Sequence, residues 1–233
     1  MPGGMDPILP AMFESVAEVR RPRGVIPPID PATMDATDPA AAERIDRIRR
    51  ILDAAVALAD EGGFEAVRAR ELCDRANVSM GTLYRCYESK EEILLHAFSD
   101  DFEALERHIE QRPVVGPTPV DRVDTYFRLA TNSFSARPHY ARAVIGAMSS
   151  GQGKAVARAA NITNRRMRVI HCAWTGEKYT VATPDQLATA EIHPIARMLG
   201  HVWFAMLVGW KGALYSTEQV AAEMHTTAEL AAR

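Results

Sequence analysis

The chain has 233 residues, 47% hydrophobic and 24% charged, with a net charge of −3. This is ordinary globular composition, enough for one larger or two small domains, and it leaves any nucleic-acid role to the local placement of basic groups rather than to overall charge. No run of about 18 apolar residues and no basic segment followed by an apolar stretch is present, so neither a membrane span nor a signal peptide is indicated; a cytoplasmic protein without membrane partners is expected.

Residues 1–38 hold seven of the fourteen prolines and read as an irregular N-terminal extension. Arg20, Arg21 and Arg23 form a small basic cluster there, read as part of a solvated tail, with a DNA-contacting arm as the alternative. From Asp38-Pro39 an N-cap and a first-turn proline open a helix, along which Ile45, Ile48, Leu52, Ala55 and Ala59 recur at helical spacing until Gly62-Gly63. A second helix fits residues 69–76, with Ala69, Leu72, Cys73 and Ala76 on one face. Ser79 then caps a very short helix, and Val78 with Leu83 has the spacing of a hydrophobic staple. That staple turns Leu83 and Tyr87 inward and leaves Met80, Gly81, Thr82, Tyr84 and Arg85 outward. Gly81 lowers helix stability by roughly 1 kcal/mol against Ala, and in return lets another molecule approach the backbone closely.

Ser89 and Glu92 predict a capping box for a fourth helix, whose Leu94, Phe98, Phe102, Leu105 and Ile109 form an apolar stripe to about residue 110. After a proline-punctuated connection at 113–119, helices are predicted over 120–136, 138–149, 154–175, 185–213 and 217–232, the last opened by a Ser216/Gln219 capping box. The fold class is therefore all-α. It divides into a compact N-terminal unit at 39–90 and a larger helical unit at 91–233.

Helix, tight turn and second helix with an exposed polar face is the plan of a helix-turn-helix DNA reader. Arg70, Thr82, Tyr84 and Arg85 supply donors for bases and phosphates, Met80 and Gly81 suit the groove floor, and Lys90 lies at a helix N-terminus, a natural phosphate site. Arg44, Arg47, Arg49 and Arg50 add positive charge on the first helix. A plain helical hairpin with solvated charges is the bland alternative. Residues 45–98 decide against it. "ILDAAVALADEGGFEAV", "LCDRANVSMGTLY" and "SKEEIL", in that order and spacing, closely resemble the N-terminal domain of the TetR family of bacterial transcriptional regulators. The resemblance implies that Met80, Gly81, Thr82 and Tyr84 lie on the recognition helix after Ser79, that Arg70 contacts bases from the preceding helix, and that Lys90 contacts phosphate. The chain departs from the family pattern at Arg68-Ala69, where a hydroxyl residue is usual and Arg68 could substitute as the phosphate ligand, at Asn77 for Gly, and at Tyr87-Glu88 for an aromatic-Pro pair.

For the C-terminal half the resemblance implies a small-molecule sensor and a homodimer, and the layout of "GPTPVDRV" and "HVWFAMLVGW" is similar to that of actinobacterial regulators of sterol and cholesterol catabolism. Candidate pocket residues are Phe98, Phe102, Phe127, Phe134, Tyr140, Met148, Trp174 and Met198, because a mostly apolar cavity suits a small-molecule site. Candidate dimer residues are Val202, Met206 and Trp210 on one helix and Val220 and Met224 on the last, with service in the chain's own core as the alternative. Sparse acidic groups among the aromatics argue for a large apolar effector, neutral or anionic, such as a sterol derivative or an acyl-CoA. A multidrug-efflux regulator sensing lipophilic cations would need buried carboxylates, for which Glu191 is the main mid-helix candidate. Arg165, Arg166 and Arg168 read as a solvated helix face, with anion contact as the alternative. Cys73, Cys86 and Cys172 lack metal-ligand spacing, and His193 and His201 sit eight apart rather than one turn, so no metal, cofactor or catalytic arrangement is expected. A helical small-molecule-binding protein without DNA function is the rival from another class.

Overall fold

Helical periodicity governs the segments that the computed structural model describes, residues 39–233; Arg20, Arg21, Arg23 and the expected cap Asp38 lie outside them. Ten helices follow one another there, with no strand among the described residues: α1 (Pro39–Ala66), α2 (Ala69–Ala76), α3 (Met80–Cys86), α4 (Lys90–Gln111), α5 (Pro119–Ala136), α6 (Pro138–Ser150), α7 (Lys154–Thr175), α8 (Pro184–Thr189), α9 (Pro194–Lys211) and α10 (Thr217–Ala231). α1 loses helical geometry at Gly62 and Gly63, the latter at φ 68°, where its predicted end lay. None of the described helices is long and apolar enough to cross a membrane.

One element differs from the sequence reading. The helix predicted over 185–213 is two helices, α8 and α9, separated around residues 190–193. Pro194 has no N–H to continue a helix and disfavours helical backbone at His193. His193 instead caps α9, its Nδ1 accepting from the Ile195 N–H at 3.2 Å, while its own N–H donates to His171 Nδ1 at 3.1 Å. Glu191 consequently stands exposed in the connection rather than mid-helix.

The described residues fall into two compact units, neither continuous in sequence: 39–102 with Arg137–Thr163, and Glu103–Ala136 with Asn164–Arg233. α4 and α7 each contribute residues to both.

In the first unit α1 packs on α2 and α6. Ile51, Leu52, Ala55, Leu72, Leu83 and Leu94 share one buried cluster with Tyr140, Val144, Ala147 and Ile162, residues separated from them by the whole of α5. Polar ties reinforce this packing: Arg137 pairs with Asp60 through two guanidinium nitrogens, the Tyr140 hydroxyl donates to Asp101 at 2.9 Å, and Lys154 meets Glu88 at 2.9 Å.

In the second unit α10 packs on α5 and α9. Tyr126, Phe127, Ile170, Leu199, Leu207, Val220 and Met224 are fully buried. α9 crosses α7 so closely that a Cβ at Gly200 would stand 2.5 Å from Met167 Sδ, so a larger residue there would have to displace the Met167 side chain.

Candidate functional site

The outward face of α3 begins with its cap. Ser79 holds extended backbone and its Oγ accepts from the Thr82 N–H at 3.1 Å, satisfying one of the first-turn donors that lack helical partners. Leu83 is buried and anchors the helix, and Tyr87 behind it is buried with its hydroxyl 2.7 Å from His96 Nδ1. The turn before α3 closes on Asn77, in the left-handed conformation at φ 51°, with the Val78 N–H donating to Cys73 O at 3.0 Å. Glycine is the usual residue for such a cap, and asparagine is the side chain that substitutes for it most readily. The departure at Asn77 therefore leaves the turn intact.

Pinned this way, α3 presents Met80 (43% exposed), Tyr84 (61% exposed), Gly81 and Arg85 outward. Thr82 is half-buried; its Oγ1 lies 2.9 Å from Ser79 Oγ and accepts from Arg85 Nη2 at 3.2 Å. A Cβ on Gly81 would meet only Ser79 Oγ, at 3.9 Å, so nothing within the chain requires glycine there. That vacancy beside an exposed phenol and thioether fits a surface approached by something else.

The basic groups divide by what they already do. Arg70 and Arg85 are exposed, and Arg68, at the N-cap of α2, is also exposed, with Nε donating to Glu65 O at 3.2 Å. Lys90 is half-buried: its ammonium lies 3.8 Å from the centre of the Phe64 ring and donates to Phe64 O at 3.2 Å, tying the start of α4 to the end of α1. Arg50 donates from Nη1 to Ala76 O at 2.9 Å and to Asn77 O at 3.3 Å, capping α2 and clamping the turn to α1. Arg50 is thus more than a positive charge on α1; one arginine within a run of four gives no local sign of a bond to residues 26 and 27 positions on. The capping box of α4 is half as expected. Ser89 Oγ accepts from the Glu92 N–H at 3.2 Å, but the Glu92 carboxylate reaches the Glu88 N–H instead, at 2.8 Å.

The expected pocket residues divide between the units. Phe98 and Phe102 lie one turn apart in the first, with tilted rings whose centres are 6.3 Å apart, and Tyr140 and Met148 belong to the same unit. In the second, Phe127 and Phe134 lie 5.7 and 5.9 Å from Trp203, the latter ring stacked, Trp174 is buried, and Met198 is 42% exposed. A cavity of about 260 Å³ in this unit is lined by Ile109, Val114, Arg122, Val169, Cys172 and Tyr179, none of them among the expected residues. It falls below the usual range of about 300–1,000 Å³ for such sites.

Of the candidate dimer residues, Trp210, Val220 and Met224 are buried in the chain's own core, the alternative kept open for them, and Val202 and Met206 are half-buried. The exposed stripe of α9 is instead Met198, His201, Ala205 and Val208.

Arg165, Arg166 and Arg168 on α7 are not a solvated face. Arg165 pairs with the buried Glu106, whose other oxygen accepts from the Tyr179 hydroxyl at 2.5 Å. Arg168 donates to Thr180 O at 3.2 Å. Arg166 is only 5% exposed, lying over the rings of Trp203 and Phe204 at 5.5 and 5.4 Å. Burial pushes its pKa down. The missed signal is positional: Arg166 stands on the stripe Ile162, Val169, Ile170, Ala173, where helical spacing calls for an apolar residue.

Cys73 is buried with its thiol 3.3 Å from Met80 Sδ, and burial, then the Asp74 charge, raises its pKa. Cys172 is raised by burial as well.

Residues 51–97 match the family model described as bacterial regulatory proteins, tetR family, and residues 116–231 match the tetracyclin repressor-like C-terminal domain. The HTH-type transcriptional repressor KstR of Rhodococcus jostii is 32% identical over 199 residues, covering 85% of this chain and 89% of the relative. KstR of Mycobacterium tuberculosis is 30% identical over 165 residues, 71% of each chain. Among solved structures, a TetR transcriptional regulator from Rhodococcus sp. RHA1 superposes with a TM-score of 0.65 at 23% identity, covering 81% of this chain and 96% of the other. FadR from Bacillus subtilis, in complex with stearoyl-CoA, gives 0.54 at 16%, covering 78% and 96%. The chain thus belongs to the TetR family of bacterial regulatory proteins, and it is a DNA-binding transcriptional repressor of that type.

Proposed function

We propose that the protein is a homodimeric repressor that holds a palindromic operator through α3 and releases it when a large apolar small molecule, a sterol derivative or an acyl-CoA, binds the second unit. The observation that carries the DNA reading is the capped α3, with Met80, Tyr84 and Arg85 outward and open space at Gly81. Arg68, Arg70 and Lys90 stand at or near the N-termini of α2 and α4, where phosphates are favoured. The three donors of an ammonium leave Lys90 capacity for a phosphate beside its bond to Phe64 O.

The exposed stripe Met198, His201, Ala205 and Val208 on α9 supplies a self-complementary face for the dimer. A two-fold dimer then reads half-sites about 34 Å apart, one duplex turn. The effector class follows from the second unit's aromatic interior around Trp203 and from the pairing of its buried carboxylate, Glu106, with Arg165, which leaves little to attract a lipophilic cation. α4 links the sites covalently: Lys90 begins it in the reading unit and Glu106 lies near its far end. An effector that favours the DNA-incompetent arrangement lowers operator affinity by about 5- to 150-fold for a typical coupling.

The test is titration of operator and scrambled duplex at several salt concentrations, with and without sterol acids, acyl-CoAs and lipophilic cations. Lys90→Ala should weaken both duplexes alike and flatten the salt slope by about one phosphate. Equal wild-type affinity for the two duplexes overturns the operator reading, and release by cations alone overturns the effector class. Val208→Glu should raise the monomer fraction in sedimentation; an unchanged dimer overturns the α9 face.

A further inference from the structure

In the interior of the second unit, the charge of Arg166 is not answered by any of the described residues. Arg166 Nε is buried without a hydrogen-bond partner, and no carboxylate among the described residues pairs with its guanidinium; Glu106 is taken by Arg165 and Tyr179. Beside it Tyr126 is fully buried, and its hydroxyl also lacks a partner. Both border Trp203: the guanidinium lies over its ring and the Tyr126 ring is centred 6.3 Å away. The other polar group on this wall is spent, since Trp203 Nε1 donates to Thr131 Oγ1 at 3.0 Å.

Buried charges are normally paired, and buried hydroxyls are normally bonded. The π faces of Trp203 and Phe204 offset part of the cost of the cation but accept little from its in-plane N–H groups. Two orphan donors in one aromatic enclosure therefore require acceptor oxygens, and the charge favours acceptors that are anionic. A guanidinium takes two oxygens of a carboxylate or phosphate side by side, with the phenol free to donate to one of them.

We propose that Arg166 and Tyr126 anchor an anionic oxygen group of the effector, while the aromatic rings around Trp203 receive its apolar body. The assignment rests on the reading of this unit as the effector site. The oxygens can come from a carboxylate on an apolar acid or from the phosphates of its CoA thioester.

The full-length protein is titrated, with tryptophan fluorescence and calorimetry as readouts, against a sterol carboxylic acid, its methyl ester, its CoA thioester and a neutral sterol. The wild type should bind an anionic compound at least about tenfold more tightly than the methyl ester and neutral sterol, the effect of a lost charge-assisted hydrogen bond. Arg166→Met and Tyr126→Phe should lose that preference, and Arg166→Lys should retain part of it. Dependence on Arg166 for the free acid assigns a carboxylate; dependence for the thioester alone assigns a phosphate. Without any effector, Arg166→Met should melt higher than the wild type, because it removes an unanswered buried charge. A lower melting temperature shows that Arg166 serves the fold and overturns the anchor. Equal binding of acid, ester and neutral sterol also overturns the anchor but leaves the effector reading standing, whereas no binding of any compound overturns both.

Discussion

α3 and the interior where Arg166 of α7 and Tyr126 of α5 border Trp203 each bring an arginine and a tyrosine together, and they treat them in opposite ways. On α3 the phenol of Tyr84 and the guanidinium of Arg85 stand in water, where an unbound polar group costs nothing. Around α7 the phenol of Tyr126 and the guanidinium of Arg166 are held away from water with bonds unmade. The first arrangement recognises a partner by reaching out after it arrives. The second keeps polar groups that a ligand of the proposed kind would satisfy. A DNA surface can thus be stable and indifferent when empty, while the interior proposed for the effector carries donors with bonds still to make.

The comparison can be sharpened by substitutions that act on the support of α3 rather than its face. Val144 is fully buried in the cluster that also holds Leu52 and Leu83. Val144→Asp should destabilise the first unit by at least about 3 kcal/mol, the penalty of an unpaired buried charge. Operator binding should fall with it, although Val144 lies 61 positions beyond Leu83; operator binding retained by a folded variant would show that α3 does not depend on α6. Arg50→Met should cost about 1–2 kcal/mol by removing charged bonds to Ala76 O and Asn77 O, discounted for partial exposure. Denaturant melts read the loss, and hydrogen exchange at Asn77 and Val78 should accelerate more than in α1.

Gly81→Ala should act with opposite signs on fold and function. With the nearest contact at 3.9 Å, the added methyl fits and raises stability by about 1 kcal/mol through helix propensity. Against DNA the same methyl should lower operator affinity roughly tenfold or more, the cost of overpacking a close contact. A variant that is more stable and binds equally well would mean that the groove does not approach this backbone.

The reading face was legible because its signals are local. Ser79 caps, Val78 and Leu83 staple, and Gly81 sits where a helix gains nothing from glycine, all within six residues. The second unit's determinants are pairings over distance: Glu106 with Arg165 and Tyr179, Thr131 with Trp203, Arg166 among rings from α9. No spacing rule connects residues on separate helices, so those arginines looked like a wet face. The split of 185–213 into α8 and α9 was present in the sequence as His193-Pro194, but the hydrophobic period running through 195–210 masked it. For the dimer face, Trp210, Val220 and Met224 carried the right apolar period; periodicity identifies a buried face without saying whether the same chain or a second copy buries it.

The cluster uniting Leu52, Leu83 and Leu94 with Tyr140, Val144 and Ile162 also sets an order of events at the ribosome. The helices that read DNA emerge early, yet their hydrophobic side stays uncovered until the segment ending near Thr163 has been made. At about 5–20 residues per second, the roughly sixty residues after Phe102 delay closure by several seconds. A nascent chain that stalls within α5 would present a recognition helix without its foundation, a target for chaperones and proteases rather than a competitor for the operator. Chains truncated within α5 should therefore fail to hold α3 in its reading position.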